Sequence, residues 1–171
     1  MPYVTLTFNK GEIMNWLDKI IFLIILFAIA MSVGGAELTQ REVVAMTLLG
    51  EARGEGEPGL YAVACVIAQR VINRNKTAKQ VCLQKGKRIW QFSCWDERDP
   101  NRKKLPTLLK THQHAAYAKM LATNINNLQR NYVGNADHYC HVNTHNKWTR
   151  KGKIIKVIGK HKFFKLRVTI K

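Results

Sequence analysis

The chain has 171 residues, enough for about one domain, and 46% of them are apolar against 23% charged. A chain of this length and composition buries one sizeable core, which excludes a wholly disordered protein and a two-domain enzyme. Lys and Arg total 28 against 11 Asp and Glu, a net charge of +17, so the fitting partners are polyanions: nucleic acid, anionic lipid or an acidic wall polymer.

In chain order, the first feature is the unbroken apolar run from Ile20 to Met31, followed by Ser32, Val33, Gly34, Gly35 and Ala36. The run is shorter than the roughly 18–20 apolar residues that span a bilayer as a helix. It predicts a signal peptide over residues 1–36, cleaved after Ala36, with an uncleaved N-terminal membrane anchor as the alternative. Lys10 and Lys19 cancel Glu12 and Asp18, so residues 37–171 keep the whole charge of +17. Export also permits disulfides among Cys65, Cys82, Cys94 and Cys140. Cys82 and Cys94 flank a short basic loop and are the expected pair, whereas Cys65 lies in an apolar helical stretch where a free, buried thiol is expected.

Thr39 with Glu42 three residues on has the form of a capping box, opening an amphipathic helix that ends near Gly50 to Gly54. The segment Gly56-Glu57-Pro58-Gly59 and its neighbours read as a turn with little structure of its own. Leu60, Val63, Ala64, Ile67 and Val71 recur at helical spacing, predicting a second, buried helix to about Asn73. Residues 75–107 are irregular and basic, contain Trp90, Phe92 and Trp95, and read as a long functional surface loop. A third helix is predicted from about Leu108 to Leu128. Beyond residue 136 the pattern changes to short strands or a hairpin, with ten Lys or Arg and no acid between Lys147 and Lys171.

Gly50-Glu51-Ala52-Arg53-Gly54-Glu55 places two carboxylates and an arginine at the end of an apolar helix, immediately before a glycine-rich turn. A carboxyl group set among apolar residues at the negative end of a helix dipole favours its protonated form, which suits a general acid at a glycosidic oxygen. Glu51 is the first candidate acid and Glu55 the second. Gln91 and Ser93 can hydrogen-bond sugar groups, and the aromatic side chains offer stacking faces or core.

These segments together, GEARGE before a glycine turn, the helix YAVACVIAQRVINR, then QFSCW, ADHYCH, Trp148 and IGKHKFF, resemble the SleB-type cell-wall hydrolases over roughly residues 40–165. The resemblance implies an α+β fold, a mainly α-helical lysozyme/transglycosylase-like domain with a small C-terminal β element. It also implies cleavage of peptidoglycan between N-acetylmuramic acid and N-acetylglucosamine, generally as a lytic transglycosylase. Glu51 matches the family's catalytic glutamate; Arg53, Glu55, Gln91, Phe92 and Ser93 fall on its cleft motifs, and His138 and Tyr139 on its late aromatic segment. The basic insert from Arg98 to Lys104 departs from the pattern.

Ordinary glycosidases use two carboxylates, and only nine acids lie beyond residue 36. A transglycosylase needs one, because the muramic acid C6 hydroxyl attacks C1 from within the substrate. The expected partner is the peptidoglycan glycan strand, with electrostatic attraction to anionic wall polymers or membrane, no nucleic acid, no cofactor or metal, and a monomeric state. The competing readings are a water-using muramidase, a zinc amidase built on His138, Cys140, His141 and His145, and a non-enzymatic basic binding module. A phage lysin or a Gram-negative wall-remodelling enzyme fits the sequence as well as a germination enzyme does.

Overall fold

Helix α1 (Gln40–Ala52) begins at the expected capping box: Thr39 Oγ1 accepts from Glu42 N at 3.2 Å, and Glu42 Oε2 accepts from Thr39 N at 2.9 Å. This satisfies two of the orphan donors at the helix start. From Val43 to Leu49 every α1 residue is buried, as expected of a helix wrapped by others. Helices α2 (Gly56–Arg74), α3 (Ala78–Cys82), α4 (Leu105–Thr111) and α5 (Ala115–Thr123) pack around it. Met46, Leu48, Leu60, Ile67, Leu105 and Leu121 fill the shared core.

The computed structural model describes residue 16 and residues 18–25, 37–87, 89–145, 148–150 and 152–166. Residues 18–25 are helical and belong to a unit ending at Glu37, separate from Leu38–Lys171. Among the described residues no helix is long and apolar enough to cross a membrane. The second half of the apolar run, the expected cleavage point after Ala36 and the last five residues lie outside the described residues.

Several expected boundaries shift. The segment read as a plain turn is a 3₁₀ turn, Arg53–Glu55, followed directly by α2, which starts at Gly56 with φ +66°. Pro58 fits there because first-turn N–H groups have no intrahelical partner. The segment 75–107 is not one loop. It holds α3, opened by a second capping box in which Thr77 Oγ1 accepts from Gln80 N at 3.2 Å and Gln80 Oε1 accepts from Thr77 N at 3.0 Å. Phe92, Cys94 and Trp95 of that segment are core. The single third helix is two, α4 and α5, broken at His112, which leaves the helix with extended backbone.

The C-terminal part is a three-stranded antiparallel sheet of β1 (His138–His141), β2 (Lys153–Ile158) and β3 (His161–Lys165), in the order β1-β3-β2. The alternation of side chains gives it two faces. Phe163 joins Ala62, Cys65, Val66, Val133 and Ala136 in a second buried cluster, which fastens the sheet to α2. Phe164 faces the other way and carries Trp148 at 5.5 Å between ring centroids, with His138 5.8 Å from the same indole.

Candidate active site

The last full turn of α1 presents Thr47 and Glu51, four residues apart, on one face. Both receive the 3₁₀ turn Ser93–Trp95. Trp95 Nε1 donates to the buried Thr47 Oγ1 at 2.8 Å, while Cys94 N and Ser93 Oγ donate to Glu51 Oε1 at 3.1 and 3.3 Å. This approach needs Gly50, since a Cβ there would stand 2.6 Å from Cys94 Cβ and 2.8 Å from its Sγ. From the opposite side the Tyr139 hydroxyl of β1 donates to Glu51 Oε2 at 3.0 Å. The half-buried carboxylate is thus held by donors from two elements that lie 42 to 88 residues away in sequence.

Burial, and then the charge of Glu51, push the Tyr139 phenol well above its ordinary range, so the hydroxyl remains a donor. Its ring packs on Phe163 at 5.8 Å and against His161 edge to face at 5.1 Å. His161, on β3, gave no signal beyond its place in the IGKHKFF segment. Its imidazole is held below the usual value by burial, although Glu55 and Glu51 pull the other way.

The remaining expected site residues divide by role. Arg53 Nη1 donates to the Leu49 and Gly50 carbonyls at 3.2 Å each, capping the end of α1, and its Nη2 donates to Asn101 Oδ1 at 2.8 Å. It therefore anchors the basic insert beside the site. Glu55 accepts from Lys160 N at 2.7 Å, clasping the β2–β3 turn, where Gly159 at φ +54° leaves no room for a Cβ. Gln91 is exposed and accepts from Arg74 Nη2 at 2.9 Å. Phe92 is buried under the Arg70 guanidinium, 5.1 Å from its ring centroid, and so is packing rather than an open platform. His138 lies on the sheet face opposite Tyr139, its Nδ1 2.8 Å from Asp137 Oδ1, and does not meet Glu51.

All four cysteines are free thiols, so the expected Cys82–Cys94 disulfide is not formed. Cys82 is sealed in the core at the end of α3, while Cys94 is committed to the contact with Gly50 and Glu51. Burial raises both thiols, Cys82 to about 12, which keeps them protonated at neutral pH. Among the described residues no three His, Cys, Asp or Glu side chains converge as metal ligands.

A helical body closed by a small antiparallel sheet, with one carboxylate held where they meet, is a lysozyme-like arrangement. The chain belongs to the cell wall hydrolase family, whose profile matches residues 54–164, and is therefore an enzyme acting on the cell wall. Among solved structures it is similar to the catalytic domain of the germination-specific lytic transglycosylase SleB from Bacillus anthracis, at 27% identity and a TM-score of 0.57. That alignment covers 77% of this chain and 98% of the other. No curated protein matches. The family match begins three residues after Glu51, so the case for that residue stands on its geometry.

Proposed function

We propose that the protein cleaves peptidoglycan glycan strands at the N-acetylmuramic acid to N-acetylglucosamine β-1,4 bond as a lytic transglycosylase, with Glu51 as both acid and base. The observation that carries this reading is one carboxylate held by three donors while Glu55, the second candidate acid of the sequence, is spent on the β2–β3 turn. Asp96 pairs with Arg98, Asp99 accepts from Asn101 N, and Asp137 pairs with His138. Inverting and retaining hydrolases place a second free carboxylate across the bond.

In the proposed reaction, Glu51 delivers a proton to the glycosidic oxygen as the C1–O bond breaks. The muramic acid C6 oxygen then bonds to C1 and passes its proton to the Glu51 carboxylate. The enzyme is restored and no water is consumed. The products are a 1,6-anhydromuramic end and a free 4-hydroxyl on the departing N-acetylglucosamine. Ser93, which donates to the carboxylate, and Gln91 and Arg53 on the flanking segments are assigned to the sugar hydroxyl and N-acetyl groups. The positive surface draws the monomeric enzyme to anionic wall polymers, and residues 1–36 export or anchor it so that residues 37–171 act in the envelope. The similarity to the SleB catalytic domain supports the transglycosylase outcome over the hydrolytic one.

The test is mass spectrometry of soluble products from purified peptidoglycan incubated with the full chain and with Glu51→Gln. Anhydromuropeptides from the parent, reduced about 10²–10⁴-fold in the variant, are expected for loss of a general acid and base. Reducing muramic acid ends would replace the transglycosylase by a muramidase, and undiminished cleavage by Glu51→Gln would remove the residue from the chemistry.

A further inference from the structure

Helix α2 carries two arginines one turn apart, Arg70 and Arg74, on the face turned toward the segments that cage Glu51. Arg74 Nη1 and Nη2 donate to Gln84 Oε1 at 2.6 Å and Gln91 Oε1 at 2.9 Å. Arg70 is only 5% exposed. Its Nε donates to the Asp137 carbonyl at 2.6 Å, and its guanidinium lies over the Phe92 ring at 5.1 Å. Phe92 is the residue immediately before Ser93 and Cys94, and Asp137 stands two residues before Tyr139. One side chain therefore grips the root of both arms whose donors meet on the Glu51 carboxylate.

The arrangement is a poor choice for stability alone. Like charges four residues apart on a helix repel. Burial draws Arg70 down to about 10, still charged at neutral pH, and its Nη1 is buried with no acceptor among the described residues. Buried charges of this kind are often replaced by apolar side chains at no loss, or a gain, of stability. What Arg70 does hold is the residue before Ser93 and the carbonyl two residues before Tyr139, the two segments whose donors meet on Glu51.

We propose that Arg70 is a positioning residue for the glycan-cleaving reaction, fixing the Phe92 and Asp137 backbone so that Ser93, Cys94 and Tyr139 converge on Glu51. The proposal rests on the Glu51 reading above. Its test is steady-state kinetics of the full chain on soluble glycan strands, with thermal unfolding in parallel, for Arg70→Met and Arg70→Lys. Methionine fills much of the volume and packs on Phe92 but cannot donate to the Asp137 carbonyl; lysine keeps the charge without the planar fork. Both variants are expected to unfold cooperatively near the parent temperature, with kcat reduced about 10–100-fold, KM within about twofold, and lysine the milder of the two. Parent-like kcat in either folded variant overturns the proposal. So does a loss that appears in KM alone or that accompanies unfolding, since Arg70 would then be a binding or stability residue. Glu51→Gln measured alongside separates the two readings: if it stays active the Glu51 assignment fails, and if it is inactive while Arg70→Met runs at the parent rate, only the Arg70 assignment fails.

Discussion

Helix α1 and the three-stranded sheet meet at the same carboxylate but are built from opposite materials. The helix is buried from Val43 to Leu49 and held by capping and apolar packing. The sheet is basic and half open: its edge strand β2 leaves Ile154 and Val157 about half exposed, and Lys156 lies 4.0 Å from the Tyr132 ring centroid. Phe163 lies in a fully buried cluster with α2 residues, and Tyr139 and Ile158 of the sheet pack against that cluster partly buried. The helix thus supplies the reactive group in a buried frame, whereas the sheet supplies its aim through Tyr139 and closes the frame through Phe163 and the Glu55–Lys160 contact. A catalytic group on a packed helix and an orienting group on a separate element allow placement and reactivity to be altered separately.

The comparison breaks most visibly at Phe163. Truncating a fully buried phenylalanine costs about 3–5 kcal/mol. Because its partners Ala62, Cys65 and Val66 belong to α2, Phe163→Ala should lower the stability of the whole domain by that amount in one cooperative urea transition. If the helical signal instead persists to the parent midpoint while the sheet melts early, the sheet is an appendage and not part of the frame.

A smaller and sharper effect is expected at the aim itself. Tyr139→Phe keeps the ring on Phe163 and His161 and deletes only the hydroxyl that donates to Glu51 Oε2. The hydroxyl orients the carboxyl group, and misplacing a catalytic group by about 1 Å can cost roughly 10²-fold in rate. The expected result is a fall in kcat of roughly 10–100-fold with an unfolding midpoint close to the parent's. An unchanged rate would leave the Ser93–Cys94 turn alone as the device that orients Glu51.

The same contrast explains what could be read from the residues. The Thr39–Glu42 capping box and the apolar spacing of α1 and α2 are local signals; α1 lies where they predict, and α2 begins four residues earlier, at Gly56. Thr77 and Gln80 form an equally local box that opens α3, yet it is embedded in a run of Lys and Arg that reads as loop. Phe92 and Trp95 are buried by partners far along the chain, Arg70 and Thr47, and no spacing rule announces such pairs. Glu51 is legible because it ends an apolar helix beside Gly50. Its meeting with Tyr139 across 88 residues is a property of topology, as are the diversion of Glu55 to the β2–β3 turn and the separation of His138 from the site by strand alternation. Sequence proximity suggests the Cys82–Cys94 pairing, but both are free thiols buried in the same core cluster.

The smallest expected effect lies where helix and sheet influence one another through charge. His161 Nδ1 is buried with no hydrogen-bond partner among the described residues, and burial holds the imidazole below its ordinary value of 6.5, with His141 acting in the same sense and Glu55 and Glu51 opposing. The folded state therefore binds this proton less readily than the unfolded chain. The resulting stability is fully present above about pH 6.5 and is lost as the pH falls through the lower, folded-state value. Thermal unfolding should then show the parent losing slightly more stability than His161→Gln between about pH 7.5 and pH 5, before the carboxylates begin to titrate. Parallel loss in the two proteins would mean that Glu51 and Glu55 fully offset the burial of the ring, so that the sheet's histidine senses these carboxylates as strongly as its own enclosure.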